Sequence, residues 1–386
     1  MVILITGVKF HTFSQPQLDT INKSEETEVK SIDTILDVNN MFDVSVSDAV
    51  YTGNETAYVL GVKHFNLETG NGLIHYIKYN LSSYRIKIIK KDHNLPFAPL
   101  STVYTGEDIF IFGGQVYGSQ SNTDNVYRLN IDNEKLEKLE VELPEEITEN
   151  KTLFQFTSVW IQDRAFLIYE DGVYSFYPSN HTFQKYELEH LDELFSKANN
   201  RNSVYAGGKV YFFNQDKIFC FDPEERTLNE LDKKLPTNYS KAWRRSAVYT
   251  GEYIYIIGGG GFGREIIDEI IRFDPETNEA ELLNTKLPVK LHGCNPVCDG
   301  EYIYIFGGRK KRGVSDSYKG SDDITFNDTY GAEMNVIWRF NYQDLSSNDE
   351  YPGIKYDYST EYTTYGSLCV SIVITTLILM FRKQKK

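Results

Sequence analysis

The chain has 386 residues and carries 40 Lys and Arg against 55 Asp and Glu, a formal net charge of −15. That balance excludes a general nucleic-acid binder, which needs a basic face, and favours solubility and basic or neutral partners. Four cysteines, with no CxxC pair and no His/Cys array of zinc spacing, exclude a disulfide scaffold and predict no metal site and no cofactor.

In chain order, the strand signals arrive in groups of four. At the N-terminus Val2-Ile3-Leu4-Ile5-Thr6-Gly7 reads as the second strand of a group and Leu18 to Ile32 as its third and fourth, with the first strand missing. A complete group then opens near Val50. The next contains Tyr104-Thr105-Gly106-Glu107-Asp108-Ile109-Phe110-Ile111-Phe112-Gly113-Gly114. The same run returns as Tyr249-Thr250-Gly251-Glu252-Tyr253-Ile254-Tyr255-Ile256-Ile257-Gly258-Gly259 and again from Cys298 to Gly308. Each run is a strand, a Gly turn and a second apolar strand closed by paired glycines, a hairpin signal. A third strand follows and ends on Asp222-Pro223 or Asp274-Pro275, where Pro presets φ and Asp can bind the backbone ahead. A largely polar fourth strand runs into Leu235-Pro236 or Leu287-Pro288.

Val50, Val103, Val159, Val204, Val248 and Val297 mark the first strand of each group, spaced about 53, 56, 45, 44 and 49 residues apart. A four-stranded antiparallel sheet cannot bury both faces alone, and radial repetition solves that problem. On these motifs the chain resembles the kelch-repeat β-propellers over about residues 1–357. It departs from the family where Leu60-Gly61, Tyr169-Glu170 and Phe213-Asn214 stand in place of the double glycine, and where Leu228 and Ala280 replace the usual fourth-strand Trp. Six full units and the partial one imply an all-β fold of seven blades, with six as the alternative. The 28 Tyr and 23 Phe suit packing between blades.

After a linker at 358–365, Gly366 to Phe381 carries no charge and is followed by Arg382-Lys383-Gln384-Lys385-Lys386. It reads as a short single-pass transmembrane helix with a basic cytoplasmic tail. The competing reading makes Leu368 to Thr375 the missing first strand of the N-terminal unit. N-x-[ST] sequons at Asn22, Asn54, Asn80, Asn150, Asn180, Asn238 and Asn327 favour an extracellular or lumenal propeller. A Met1 that opens directly into a strand, with no basic leader, favours a cytosolic one.

Cys294 and Cys298 fall four residues apart in a predicted strand, roughly 13 Å, too far to bridge. None of His11, His64, His75, His93, His181, His190 and His292 pairs with another at ligand spacing. Neither a serine triad nor a phosphate-cradling loop is present, so an enzyme is not expected. The resemblance to kelch proteins implies that the segment leading into each blade and the loop after the double glycine share one face. Those positions hold Phe154, Phe156, Arg201, Trp243, Arg244, Arg245 and His292, then Arg309, Lys310, Lys311 and Arg312. The reading that follows is a membrane-anchored, non-catalytic interaction module whose cations capture a protein or peptide partner, acidic in character, since Arg pairs carboxylates bidentately. The alternatives are a carbohydrate-acting propeller enzyme of oxidase or mutarotase type, and a soluble cytosolic kelch scaffold.

Overall fold

The computed structural model describes residues 33–37, 48–65, 72–83, 85–92, 95–97, 101–116, 123–148, 156–169, 172–186, 188, 203–237, 245–260, 266–309 and 336–344. After β1 (Asp33–Asp37), blade 1 comprises β2 (Asp48–Tyr51), β3 (Thr56–Phe65), β4 (Gly72–Asn80) and β5 (Ile86–Asp92). The short β6 (Pro96–Phe97) leads to blade 2: β7 (Ser101–Tyr104), β8 (Asp108–Phe112), the short β9 (Gln115–Val116), β10 (Asn125–Asn130) and β11 (Lys135–Glu142). One helical turn, α1 (Glu145–Thr148), precedes blade 3, made of β12 (Thr157–Ile161), β13 (Arg164–Tyr169), β14 (Gly172–Tyr177) and β15 (Thr182–Tyr186). Blade 4 is β16 (Ser203–Ala206), β17 (Lys209–Asn214), β18 (Lys217–Asp222) and β19 (Thr227–Lys234). Blade 5 is β20 (Ser246–Tyr249), β21 (Ile254–Ile257), β22 (Glu269–Asp274) and β23 (Glu279–Lys286). Blade 6 contains β24 (His292–Cys298), β25 (Tyr302–Arg309) and β26 (Val336–Asn341).

Each blade is a four-stranded antiparallel sheet, and β1 supplies the fourth strand of blade 6 by pairing with β26, Asp33 opposite Arg339 and Asp37 opposite Val336. The described residues therefore form six blades, which corrects the expectation of seven. The physical reason is the closure. The first strands of neighbouring blades touch all the way round, and β24 of blade 6 lies directly against β2 of blade 1. Between them Tyr79 and Phe306 meet edge to face at 5.5 Å inside a core shared by Val59, Ile77, Val297 and Ile337. No gap remains for a seventh sheet. The strand signals at Val2–Gly7 and Leu18–Ile32 lie outside the described residues, as does the apolar run 366–381. Among the described residues no helix is long and apolar enough to cross a membrane.

Six apolar cores fill the six seams, one between each pair of neighbours. Leu143, Leu235 and Leu287, the residues before Pro in the repeat, are buried plugs. Their N–H groups donate to the carbonyls of Asp124, Asp216 and Asp268 at 2.7, 2.8 and 2.8 Å. Tyrosines tie one blade to the next. Tyr211 and Tyr255 donate to the carbonyls of Pro275 and Tyr342 in the following blade, at 3.0 and 3.2 Å, and Tyr186 does so to Pro223. Tyr thus packs its ring in the seam and satisfies a neighbour's turn with its hydroxyl, which accounts for the repeated choice of Tyr over Phe.

Candidate functional site

Strand order gives the disc two unlike faces. Connections between first and second strands, and between third and fourth, form a face of tight turns. Their polar groups are satisfied locally: Asp274 Oδ1 accepts the N–H groups of Glu276 and Thr277 at 2.8 and 3.3 Å, and Asp299 Oδ1 those of Glu301 and Tyr302 at 2.9 and 2.7 Å. The opposite face carries the segments leading into each blade and the links between second and third strands. These links range from two residues at 170–171 and 215–216 to the 26 residues of 310–335.

Backbone hydrogen bonds join the two sets of loop-face segments at two places in the described residues. In blade 2, β6 pairs with β9. Where the chain leads into blade 6, Leu291 accepts from Gly259 N–H at 2.8 Å and donates to the Ile267 carbonyl at 3.1 Å. This approach explains the first glycine of the pair. Gly258 has φ +60°, and a Cβ there would stand 2.4 Å from the Leu291 carbonyl oxygen.

Of the loop-face residues read from the sequence, Arg201, Trp243, Arg244, Lys310, Lys311 and Arg312 lie outside the described residues, as does Phe154. Phe156 is buried in the seam between blades 2 and 3. Arg309 ends β25 opposite His292, which is itself buried at the start of β24. Arg245 is not an exposed cation: its side chain is 0 % exposed and stands 3.5 Å from Glu269, which is 2 % exposed. It donates to the Gly258 carbonyl at 3.2 Å and to Thr237 Oγ1 at 2.6 Å, and Thr237 in turn donates to Glu269 at 2.5 Å. Desolvation pulls the guanidinium below its ordinary range, opposed by Glu269. Arg245 therefore clamps the end of blade 4, the start of blade 5 and the double glycine together.

Of the sequons, Asn54, Asn80 and Asn180 all lie on the turn face, with Asn54 and Asn180 exposed. Asn80 Oδ1 accepts the Ser83 N–H at 2.7 Å. The other four lie outside the described residues. Cys220, Cys294 and Cys298 are free thiols, and burial pushes those of Cys220 and Cys294 up to about 11.

A polar belt around the axis escaped the sequence reading. Two residues before each marker Val stand Asp48, Ser101, Thr157, Asn202, Ser246 and Asn295, polar in all six blades. Asp48, Ser101, Thr157 and Ser246 sit at the loop-face end of the innermost strands and link neighbours, while Asn202 lies outside the described residues. Thr102 Oγ1 donates to Asp48 Oδ2 at 2.7 Å, Ser101 and Ser158 hydroxyls meet at 2.7 Å, and Thr157 and Ser203 at 2.8 Å. Ser246 Oγ donates to the Cys294 carbonyl at 2.5 Å. The signal was a fixed offset from the repeat's own marker, hidden because each residue alone is an ordinary strand hydroxyl or amide.

Asp48 differs from the rest. Surrounded by protein yet still reached by water, its carboxyl is pushed up to about 6 by desolvation, against hydrogen bonds from the Thr102 hydroxyl and the Ala49 and Thr102 backbones. Among the described residues no cation pairs with it.

Comparison with known proteins follows the same repeat. A Kelch motif profile matches residues 244–279. A Kelch domain-containing protein of Archaeoglobus fulgidus is 34% identical over 241 residues, 58% of this chain and 69% of that protein. A Kelch domain-containing protein of Pyrococcus furiosus is 27% identical over 320 residues, covering 80% and 92%. An N-acetylneuraminate epimerase of Vibrio vulnificus is 28% identical over 141 residues, 32% of this chain and 34% of the enzyme.

Proposed function

Since the chain belongs to the kelch-repeat β-propeller family, we propose that it is a non-catalytic interaction module that captures a protein or peptide partner on its loop face. The observation carrying this reading is the contrast between the two faces. Turns on one face are short and bind their own polar groups, whereas the other concentrates connections of very different length on a rigid disc. A scaffold that fixes its strands and varies its loops on one side is built for recognition. The apolar run 366–381 with its basic tail would hold the propeller at a membrane. Glycans at Asn54, Asn80 or Asn180 would leave the loop face clear.

The test is affinity capture from native extract with the full chain, beside a variant in which 310–335 is replaced by a short Gly-Ser link. A turn-face control replaces Asn54, Asn80 and Asn180 with Gln. Partners lost with the loop variant and kept with the control support the reading; partners kept by both defeat it. Alkaline carbonate extraction with N-glycosidase treatment tests the anchor: a pelleted, shifted band places the propeller outside, and release into the supernatant removes the anchor. A second reading, catalysis on a carbohydrate, draws on the partial likeness to the epimerase. Turnover of N-acetylneuraminate by the purified chain would replace the binding reading.

A further inference from the structure

Four of the belt positions, Asp48, Ser101, Thr157 and Ser246, do the same mechanical work, joining the inner edges of adjacent blades. Three of these do it with a neutral Ser or Thr, the same position in blades 4 and 6 is Asn, and blade 1 alone has a carboxylate. A neutral residue at 48 could make the bond to Thr102 equally well, so the charge is not needed for the seam. It is costly there, since desolvation outweighs the hydrogen bonds that Asp48 receives. A charged residue kept at that cost, where the seam needs none, is the kind of local conflict that functional sites show.

The surroundings fit one chemistry. Each innermost strand pairs only with the second strand of its own blade, so its other backbone edge turns C=O groups, along with N–H groups, toward the axis. The belt adds hydroxyls, of which Ser158 and Ser203 remain half-buried. Carbonyl and hydroxyl acceptors grouped around one carboxylate suit a group with several N–H donors and a positive charge. The protein's net charge of −15 draws such a group in.

We propose that the loop-face mouth of the propeller axis binds a protonated primary amine, the terminal group of a lysine side chain presented by the partner, with Asp48 as its counter-ion. This rests on the loop face being the binding surface. Its charge is opposite to that of the partner expected from the sequence; Arg245, one of the cations behind that expectation, pairs with Glu269.

The experiment uses the full chain in detergent at pH 8 and a terminally blocked neutral peptide with one lysine, compared with its norleucine analogue. The expected result is a preference for the lysine peptide of at least tenfold, abolished in D48N while that variant melts no lower than the wild type. A second measurement needs no variant: methylammonium should raise the midpoint of the wild type more than equal concentrations of sodium or tetramethylammonium. Absence of a lysine preference, its survival in D48N, or equal effects of all three cations would overturn the proposal. The variant with 310–335 replaced separates the two readings. If it loses the partner but keeps the lysine preference, the axial site stands apart from the loops; if partner and lysine preference both survive there, the loops fail and the axial site holds.

Discussion

At the residue scale, the costs fall on buried charge. Asp48 has its carboxyl raised to about 6 from an ordinary 3.8, so folding favours its protonated form. The stability linked to this group is therefore complete below pH 4 and is lost as pH rises through about 6, a penalty on the order of 2 kcal/mol once water access is allowed for. Uncharged Ser101 and Thr102 face it from the next strand, so the shift comes from burial and not from a like charge. D48N should melt higher than the wild type at pH 8 and equal it at pH 4, because the Thr102 hydroxyl can turn to meet an amide; equal melting at both pH values would refute the assignment. Arg245 works the other way. R245A leaves Glu269 buried without its cation and should cost about 3–5 kcal/mol, read by urea denaturation, whereas E269Q with Arg245 retained should cost less. Neither role was legible from composition. Arg245 read as a loop-face cation because the kelch resemblance puts the segment leading into each blade on that face. Its burial is decided by Gly258 and Glu269, 13 and 24 residues further along.

At the scale of elements, the repeat was readable where a local signal forces the structure: the glycine turns, the Asp-Pro turns, and the Leu-Pro plugs all take the places their chemistry predicts. The blade count was not readable, because closure depends on which strand the N-terminal segment joins, and pairing across some 300 residues leaves no local trace. The strand that closes the ring, Asp33–Asp37, was not singled out by the repeat at all. Removing residues 1–37 should expose the edge of β26, lower the thermal midpoint by several degrees and bring concentration-dependent association in light scattering; an unchanged, monodisperse protein would contradict the closure. The outer edge of blade 1 is guarded. On β5 the side chains of Lys87, Lys90 and Lys91 are exposed, and the register shifts between Tyr76 and Ile77. Lysines and a bulge on an edge oppose strand addition. Replacing Lys90 and Lys91 with Thr should promote self-association without lowering the midpoint.

At the scale of the molecule, each blade meets only its two neighbours, yet the ring closes, so every seam lies on a loop with no free end. An open array would let terminal units fray. Here the seam between blades 6 and 1 is as fully packed as one inside the chain: Tyr79 against Phe306 at 5.5 Å compares with Phe166 against Phe221 at 5.9 Å between blades 3 and 4. Closure makes the two seams equivalent although one joins residues more than 200 positions apart and the other about 55. Two consequences are measurable by urea unfolding. Y79A and F306A should couple to each other by about 0.5–1.5 kcal/mol in a double-mutant cycle, as edge-to-face rings do, and so should F166A and F221A. Combining Y79A with F166A, on different seams, should be additive within about 0.5 kcal/mol. If the closing pair showed no coupling while the internal pair did, the ring would be open in solution at blades 6 and 1, and β1 would not hold it shut.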